Sequence, residues 1–413
     1  MPTKSSNLAD LLAARGVRLP QPETVFIGAE VSPDRIAPGV TIHPGCRLTG
    51  SSTSIGPDCE LGAEAPVTVA DCQLGARVSL KGGCFHEATF LNGTELAAGA
   101  HVRSGTLLEE EARSGHTVGL KQTILFPYVV LGSLINFCDC LLAGGTSRQN
   151  HSEVGSGYVH FNYTPHQDKA TASLIGDVPH GVMLASPPIF LGGQGGLVGP
   201  TRLTYGAVVP AGTILRKDIL SPGLYSPRTA PAAASANPSP GAAYRTGAYR
   251  SIQRLIVNNM VYIGNINALR AWYRYVRQPM LKADKFQEAC LAGAVARLTS
   301  VCQERIKRLE ELAEKMPASL DLARAAGHDL EAKFYRQQRS LIERWPMLRE
   351  TLENLGQAQG SARERDILLE ALARQSAGGR YLETVKALAP PARAAGTAWL
   401  QSLVDAATNL WHG

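Results

Sequence analysis

The chain has 413 residues with 44% hydrophobic, 18% charged and 6% aromatic side chains, enough for two or three domains and a substantial core. Forty-one Lys and Arg against 35 Asp and Glu leave a formal charge of +6, too mild an excess for a dedicated nucleic-acid binder. No stretch approaches the roughly 18 apolar residues of a membrane span, and residues 1–16 lack the apolar core of a signal peptide.

Charge is unevenly spread: residues 1–244 carry 16 basic and 18 acidic side chains, residues 245–413 carry 25 and 17. The eight cysteines (46, 59, 72, 84, 138, 140, 290 and 302) form no CxxC pair, as expected of reduced thiols in a cytoplasmic protein.

After an N-terminal helical or irregular segment at 1–23, an aliphatic residue recurs every six positions across 24–220. Ile36, Ile42 and Leu48 form one run, Ile55 and Leu61 another, and Leu74 and Leu80 a third. Leu96, Val102 and Leu108 follow, then Val118, Ile124 and Val130, then Leu142 and Val154. The last run is Leu191, Leu197, Leu203, Val209 and Leu215. Neither a period of 3.6 nor a period of 2 produces this beat. It fits a β-solenoid of triangular section: each face is a short strand, the aliphatic residue points inward, and a small residue turns the corner. The pattern is that of the hexapeptide-repeat, left-handed parallel β-helix. Phe161–Ala172 and Val178–Phe190 are too long for corners and should project as loops.

Residues 221–247 are rich in Pro, Ala and Ser, as a linker is. From 248 to 413 the period becomes helical. Ile252, Ile256, Ile263, Ile266, Leu269 and Trp272 stripe the first helix, and Pro279 ends it. Further helices are expected at 283–315, 319–345, 361–375 and 380–410, the third opened by a Ser361-x-x-Glu364 capping box. The basic, aromatic stretch Arg270–Arg277 reads as an amphipathic face that buries its rings.

Three ordered elements carry a resemblance. Arg103-Ser-Gly is followed eighteen residues later by Lys121; Gly155–Tyr163 ends in Asn162-Tyr163; and Leu191–Pro200 is the glycine-rich LGGQGGLVGP. Together they resemble the acetyltransferase half of the bacterial bifunctional enzyme that makes UDP-N-acetylglucosamine, a glucosamine-1-phosphate N-acetyltransferase. The resemblance implies a homotrimer with clefts between subunits, acetyl-CoA or another acyl-CoA as co-substrate, no metal, and a sugar phosphate or nucleotide sugar as acceptor. By it, Arg103, Lys121 and Lys169 hold phosphate, Asn162 and Tyr163 lie beside acceptor and acetyl donor, and Gly192, Gly193 and Gly195 line the CoA groove. Guanidinium and ammonium groups suit phosphate oxygens.

The departures are specific. Where that family has its catalytic His, Phe126–Leu141 contains none; Glu153 replaces an Asn; an extra strand precedes Gly155; and no uridylyltransferase domain precedes the solenoid. A transferase needs a base, and His151, His160 and His166 bracket the Asn-Tyr element. His160 is the first expectation and His166 the second. Cys138 and Cys140 read as interior filling rather than nucleophiles. A zinc site built from these histidines is a weaker reading, since the spacing is not that of known hexapeptide-repeat zinc enzymes. The alternative function is a non-catalytic sugar-nucleotide binder or scaffold that has lost its base, with the helical region reinforcing the trimer or meeting a partner.

Overall fold

A computed structural model describes residues 4–226, 245–281, 283–375 and 380–411. Helix α1 (Lys4–Ala14) leads into a parallel β-solenoid of about eleven coils. Most of the linker read at 221–247 lies outside the described residues.

Three inward ladders run along the prism. Ile42, Leu61, Leu80 and Leu96 stack on one face. Ile27, Leu48, Val69, Phe85, Val102, Leu120 and Phe137 stack on the second. Ile55, Leu74, Phe90, Leu108, Leu125 and Leu142 stack on the third, continued by Ile175 and Leu203. The six-residue beat therefore marks the interior almost throughout. It departs from the ladders over one run: Leu120, Leu125 and Leu131 hold the inward positions rather than Val118, Ile124 and Val130. The cause is the seven-residue strand Gly119–Leu125, which continues through a corner at Gln122, where φ is 50°.

Corners are tight. Gly83 has a φ of 131°, and a Cβ there would meet the Ala100 carbonyl oxygen at 2.0 Å, so no other residue serves. The extra segment before Gly155 is a small antiparallel hairpin, Gly145–Ser147 with Asn150–His151. Of the two longer gaps, one is a loop over 162–172. The other contains α2 (Val178–Gly181), capped by Asp177, whose carboxylate accepts the His180 amide hydrogen.

The helices pack onto the solenoid and share its core. Helix α3 (Gln253–Trp272) is buried on nearly all sides rather than along one stripe, because α4 (Lys285–Ala325), α2 and α8 (Pro390–Thr408) surround it. Helix α4, capped by Asp284, lies along the face made by Ser54–Ile55, Gln73–Leu74, Ala88–Phe90 and Thr106–Leu108. At Gly293 a Cβ would come within 2.1 Å of Gln73 Oε1, so helix and sheet touch backbone to side chain. Helix α4 runs through Pro317, and the break expected there falls near Gly327. Helices α5 (Lys333–Asn354) and α6 (Ala362–Gln375) follow, α6 opened by a Ser361–Glu364 side-chain contact. The last expected helix is split into α7 (Tyr381–Lys386) and α8 by Pro390-Pro391. Among the described residues no helix is long and apolar enough to cross a membrane.

Candidate functional site

Alternation along a strand decides which side chains face outward. Val102 points into the prism, so His101 and Arg103 both face out. The Arg103 amide donates to the Leu120 carbonyl, which brings Arg103 beside Lys121, and Lys121 lies opposite Cys138 on the next coil. Arg103 Nη2 donates to Cys138 Sγ at 3.6 Å. Burial and Asp139 raise the Cys138 thiol's pKa, while Arg103, Lys121 and Lys169 act in the opposite direction. Three cations thus converge on one outer edge over adjacent coils. Such an edge can receive phosphate oxygens.

Asp139 terminates this edge at a corner, with φ of 60° and 5% exposure. Its two carboxylate oxygens are divided. Oδ2 accepts from Asn162 Nδ2 at 2.7 Å, and Oδ1 accepts from Arg305 Nη2 of α4 at 2.6 Å. Arg305 is 1% exposed and also donates to the Lys169 carbonyl at 3.0 Å. The helical region holds the rest of the 162–170 loop as well. Lys315 Nζ donates to the His166 and Gln167 carbonyls, Tyr249 Oη to Asp168, and Asn259 Nδ2 to the Ala170 carbonyl. Asn162 and Lys169 therefore stand on a loop fixed from behind by α3, α4 and Tyr249. Tyr163, at 58% exposure, faces solvent.

The two histidines singled out from sequence are placed differently. His160 is 3% exposed, within the solenoid, opposite Leu197 of the next coil. Its Nδ1 donates to the Cys138 carbonyl at 2.5 Å, and its Nε2 accepts from Ser173 Oγ at 2.8 Å. Both ring nitrogens are committed, so this imidazole has no free atom for a substrate proton. Burial takes its pKa from 6.5 to about 4, with Arg305 acting the same way and the Cys138 carbonyl and Asp139 opposing. His166 stacks on Tyr249 with ring centroids 4.3 Å apart, accepts the Gly247 amide hydrogen at Nδ1, and has its pKa lowered by burial. His151 sits on the hairpin with Nδ1 on the Arg148 carbonyl. His101, exposed and two residues before Arg103, and His86, exposed and next in register beside Arg103 on the preceding coil, are the histidines on the cationic face. The alternation His-Val-Arg is the sequence signal for His101, although it lies far from the Asn-Tyr element.

A neutral interior His160 makes stability acid-sensitive. The unfolded chain takes up a proton at this ring as pH falls below 6.5, and the folded chain only near 4. Stability is therefore complete above pH 6.5 and falls as the pH drops toward 4. Between pH 7 and pH 5 the wild type should lose about 2 kcal/mol more than His160→Gln, which cannot ionise. Urea unfolding of both proteins at the two pH values measures this, and equal losses would contradict the assignment.

The glycines of the LGGQGGLVGP stretch answer first to the solenoid. A Cβ on Gly192 would lie 2.2 Å from the Ala211 nitrogen, on Gly193 2.7 Å from the Ser156 oxygen, and on Gly195 2.7 Å from the Tyr158 ring. Their small size lets successive coils approach. Cys140 is buried, Cys138 half-buried, and none of the eight cysteines is disulfide-bonded. Among the described residues no group of three His, Cys, Asp or Glu side chains is placed to hold a metal ion.

No family model matches the chain. Curated proteins similar to it include the bifunctional protein GlmU of Pelobacter propionicus, 30% identical over 220 residues, 53% of this chain and 42% of that protein. GlmU of Trichlorobacter lovleyi is 30% identical over 224 residues, 54% and 43% of the two chains. GlmU of Nitratidesulfovibrio vulgaris is 27% identical over 219 residues, 49% and 40%. The chain spans less than half the length of the curated relatives it matches. With the parallel solenoid, these likenesses support a GlmU-like, hexapeptide-repeat acetyltransferase domain, as the sequence elements imply.

Proposed function

We propose that this GlmU-like hexapeptide-repeat chain is an acyltransferase that moves an acetyl group from acetyl-CoA to the amino group of an amino-sugar phosphate or nucleotide sugar, as a cytoplasmic homotrimer. The observation that carries this reading is the convergence of Arg103, Lys121 and Lys169 around Cys138, beside a loop that presents Asn162. The cations would hold the acceptor's phosphate oxygens with charge-assisted hydrogen bonds. Asn162 keeps its Oδ1 to orient the acceptor, since its Nδ2 is spent on Asp139.

In the reaction the acceptor nitrogen attacks the thioester carbonyl, a C–N bond forms, the C–S bond breaks, and the amine gives up a proton while the departing thiolate gains one. A group must take the amine's proton. His160 is enclosed, so His101, outward beside Arg103, is the proton acceptor in this reading. The acetyl arm would follow the outer backbone near Gly192, Gly193 and Gly195. Trimer formation would use the solenoid faces that α4 leaves open.

A second reading, sugar-nucleotide binding without turnover, is favoured by two observations: residues 126–141 hold no histidine, and His160 has no free ring nitrogen. Calorimetric titration of the whole chain with acetyl-CoA, and in parallel with UDP-N-acetylglucosamine, tests the proposal. Saturable acetyl-CoA binding near one site per chain is expected. Nucleotide-sugar binding without acetyl-CoA binding would replace the transferase with the second reading, and binding of neither would overturn both.

A further inference from the structure

A cavity lies where the solenoid meets the helical region, built from other residues than the cationic edge. It encloses about 430 Å³, within the range of small-molecule pockets. Its walls come from solenoid coils around Arg77, Asn92 and Tyr128, the turn after α3 at Tyr273–Leu281, the start of α4, and α7.

At its base is a buried polar cluster. Arg277, 8% exposed, donates from Nη1 and Nη2 to the two oxygens of Glu110 at 2.7 and 2.9 Å, and its Nη2 lies 3.3 Å from Glu109. Tyr273 Oη donates to Glu109 at 2.7 Å, and the Arg277 guanidinium lies 3.8 Å from the centre of the Tyr381 ring. Arg277 Nε is enclosed and has no hydrogen-bond partner among the described residues, although Arg277 lines the cavity. Buried ion clusters of this kind do little for stability compared with an apolar filling.

The lining is divided by chemistry. Leu91, Met280, Leu291 and Tyr128 give apolar and aromatic surface, while Arg77, Arg380 and Lys386 supply positive charge. Among the described residues none of these three cations forms an ion pair with a carboxylate within 4 Å. Of the lining acids, Glu110 is committed to Arg277 and Glu111 to Arg148 at 2.6 Å, leaving Glu383 at the edge. Lys386 Nζ stands 4.4 Å from the centre of the Tyr128 ring, and its pKa is lowered by desolvation, which outweighs the opposing pull of Glu111 and Glu383. A nearby anion would offset that desolvation.

We propose that this cavity is a binding site for an organic phosphate carried on a flat, apolar body, with the phosphate at Arg77, Arg380 and Lys386 and the body against Tyr128 and Leu91. The site is independent of the acyl-transfer reading, because it shares no residue with the cationic edge.

The test is calorimetry of the whole chain with AMP and with phenyl phosphate as probes. The proteins are the wild type, the double variant Lys386→Met with Arg380→Ala, and Arg103→Ala. Both rim side chains are at least partly exposed, so the double variant should fold, as its melting curve will show. Saturable binding that the double variant weakens at least about tenfold and Arg103→Ala leaves within about twofold is expected. Three results would overturn the site: no saturation up to ~5 mM of either probe, unchanged binding in the double variant, or binding removed by Arg103→Ala.

Discussion

Replacing Arg305 with alanine is expected to lower the unfolding free energy by about 3–5 kcal/mol, because it strips a buried carboxylate of its partner. The guanidinium is almost fully enclosed, bonded to Asp139 and to the Lys169 carbonyl, so its loss leaves Asp139 facing only Asn162. Arg305→Lys should recover only part of the loss, since one ammonium cannot reproduce the two directed contacts. Urea unfolding of Arg305→Ala, Asp139→Ala and the double variant forms a cycle in which a coupling of at least about 1 kcal/mol is expected. Strict additivity of the two changes would show that the helical region does not hold the solenoid corner through this pair. Nucleotide-sugar binding provides a second readout: if the 162–170 loop is positioned from behind, Arg305→Ala should weaken binding although Arg305 touches no ligand.

Arg103→Ala and Lys121→Ala carry the other large effect, and it falls on binding rather than stability. Each removes one cation from the outward row beside Cys138. A charge-assisted contact contributes about 1.5–3 kcal/mol, so each change should weaken nucleotide-sugar or sugar-phosphate binding by about tenfold or more. Both side chains point away from the interior, so unfolding should shift by less than about 0.5 kcal/mol. Calorimetry with UDP-N-acetylglucosamine beside a urea titration separates the two readouts. Affinity within about twofold of wild type in both variants would remove the cationic edge from the acceptor site.

The solenoid was legible because its signal is local. Each inward residue such as Ile42, Leu61 or Leu74 needs only its own coil to be recognised, and the six-residue beat is unlike any helix or ordinary strand. The slip over Val118, Ile124 and Val130 was hidden because the strand that runs through its corner shortens the step from Leu120 to Leu125 to five residues, with no glycine to announce it. The helix through Pro317 departs from its sequence pattern for the opposite reason. A proline normally ends a helix, but packing against α5 and the solenoid outweighs one lost hydrogen bond.

What the sequence concealed is the docking between its halves. Arg305 meets Asp139, and Arg277 meets Glu110, across more than 160 residues, and no local pattern pairs them. The basic, aromatic stretch at 270–277 buries Trp272 and Tyr273 as its pattern implies, yet Arg277, expected at the surface, is interior too. His160 was attractive by its position two residues before Asn162. Alternation along the strand Val159–Phe161 turns it inward, onto the ladder that leads to Leu197 and Leu215. The same alternation, applied to Ala100–Val102, exposes His101 beside Arg103.

Acyl transfer is tested most directly by release of free CoA thiol from acetyl-CoA by the purified whole chain. Glucosamine 1-phosphate and UDP-glucosamine would be supplied as acceptors. Thiol release that requires one of these amines, saturates with it, and falls at least about tenfold in both Arg103→Ala and His101→Gln is the predicted result. Thiol release no faster than the uncatalysed background with every acceptor, from protein that still binds acetyl-CoA or the nucleotide sugar, would contradict it and leave a binding protein on a transferase-like solenoid.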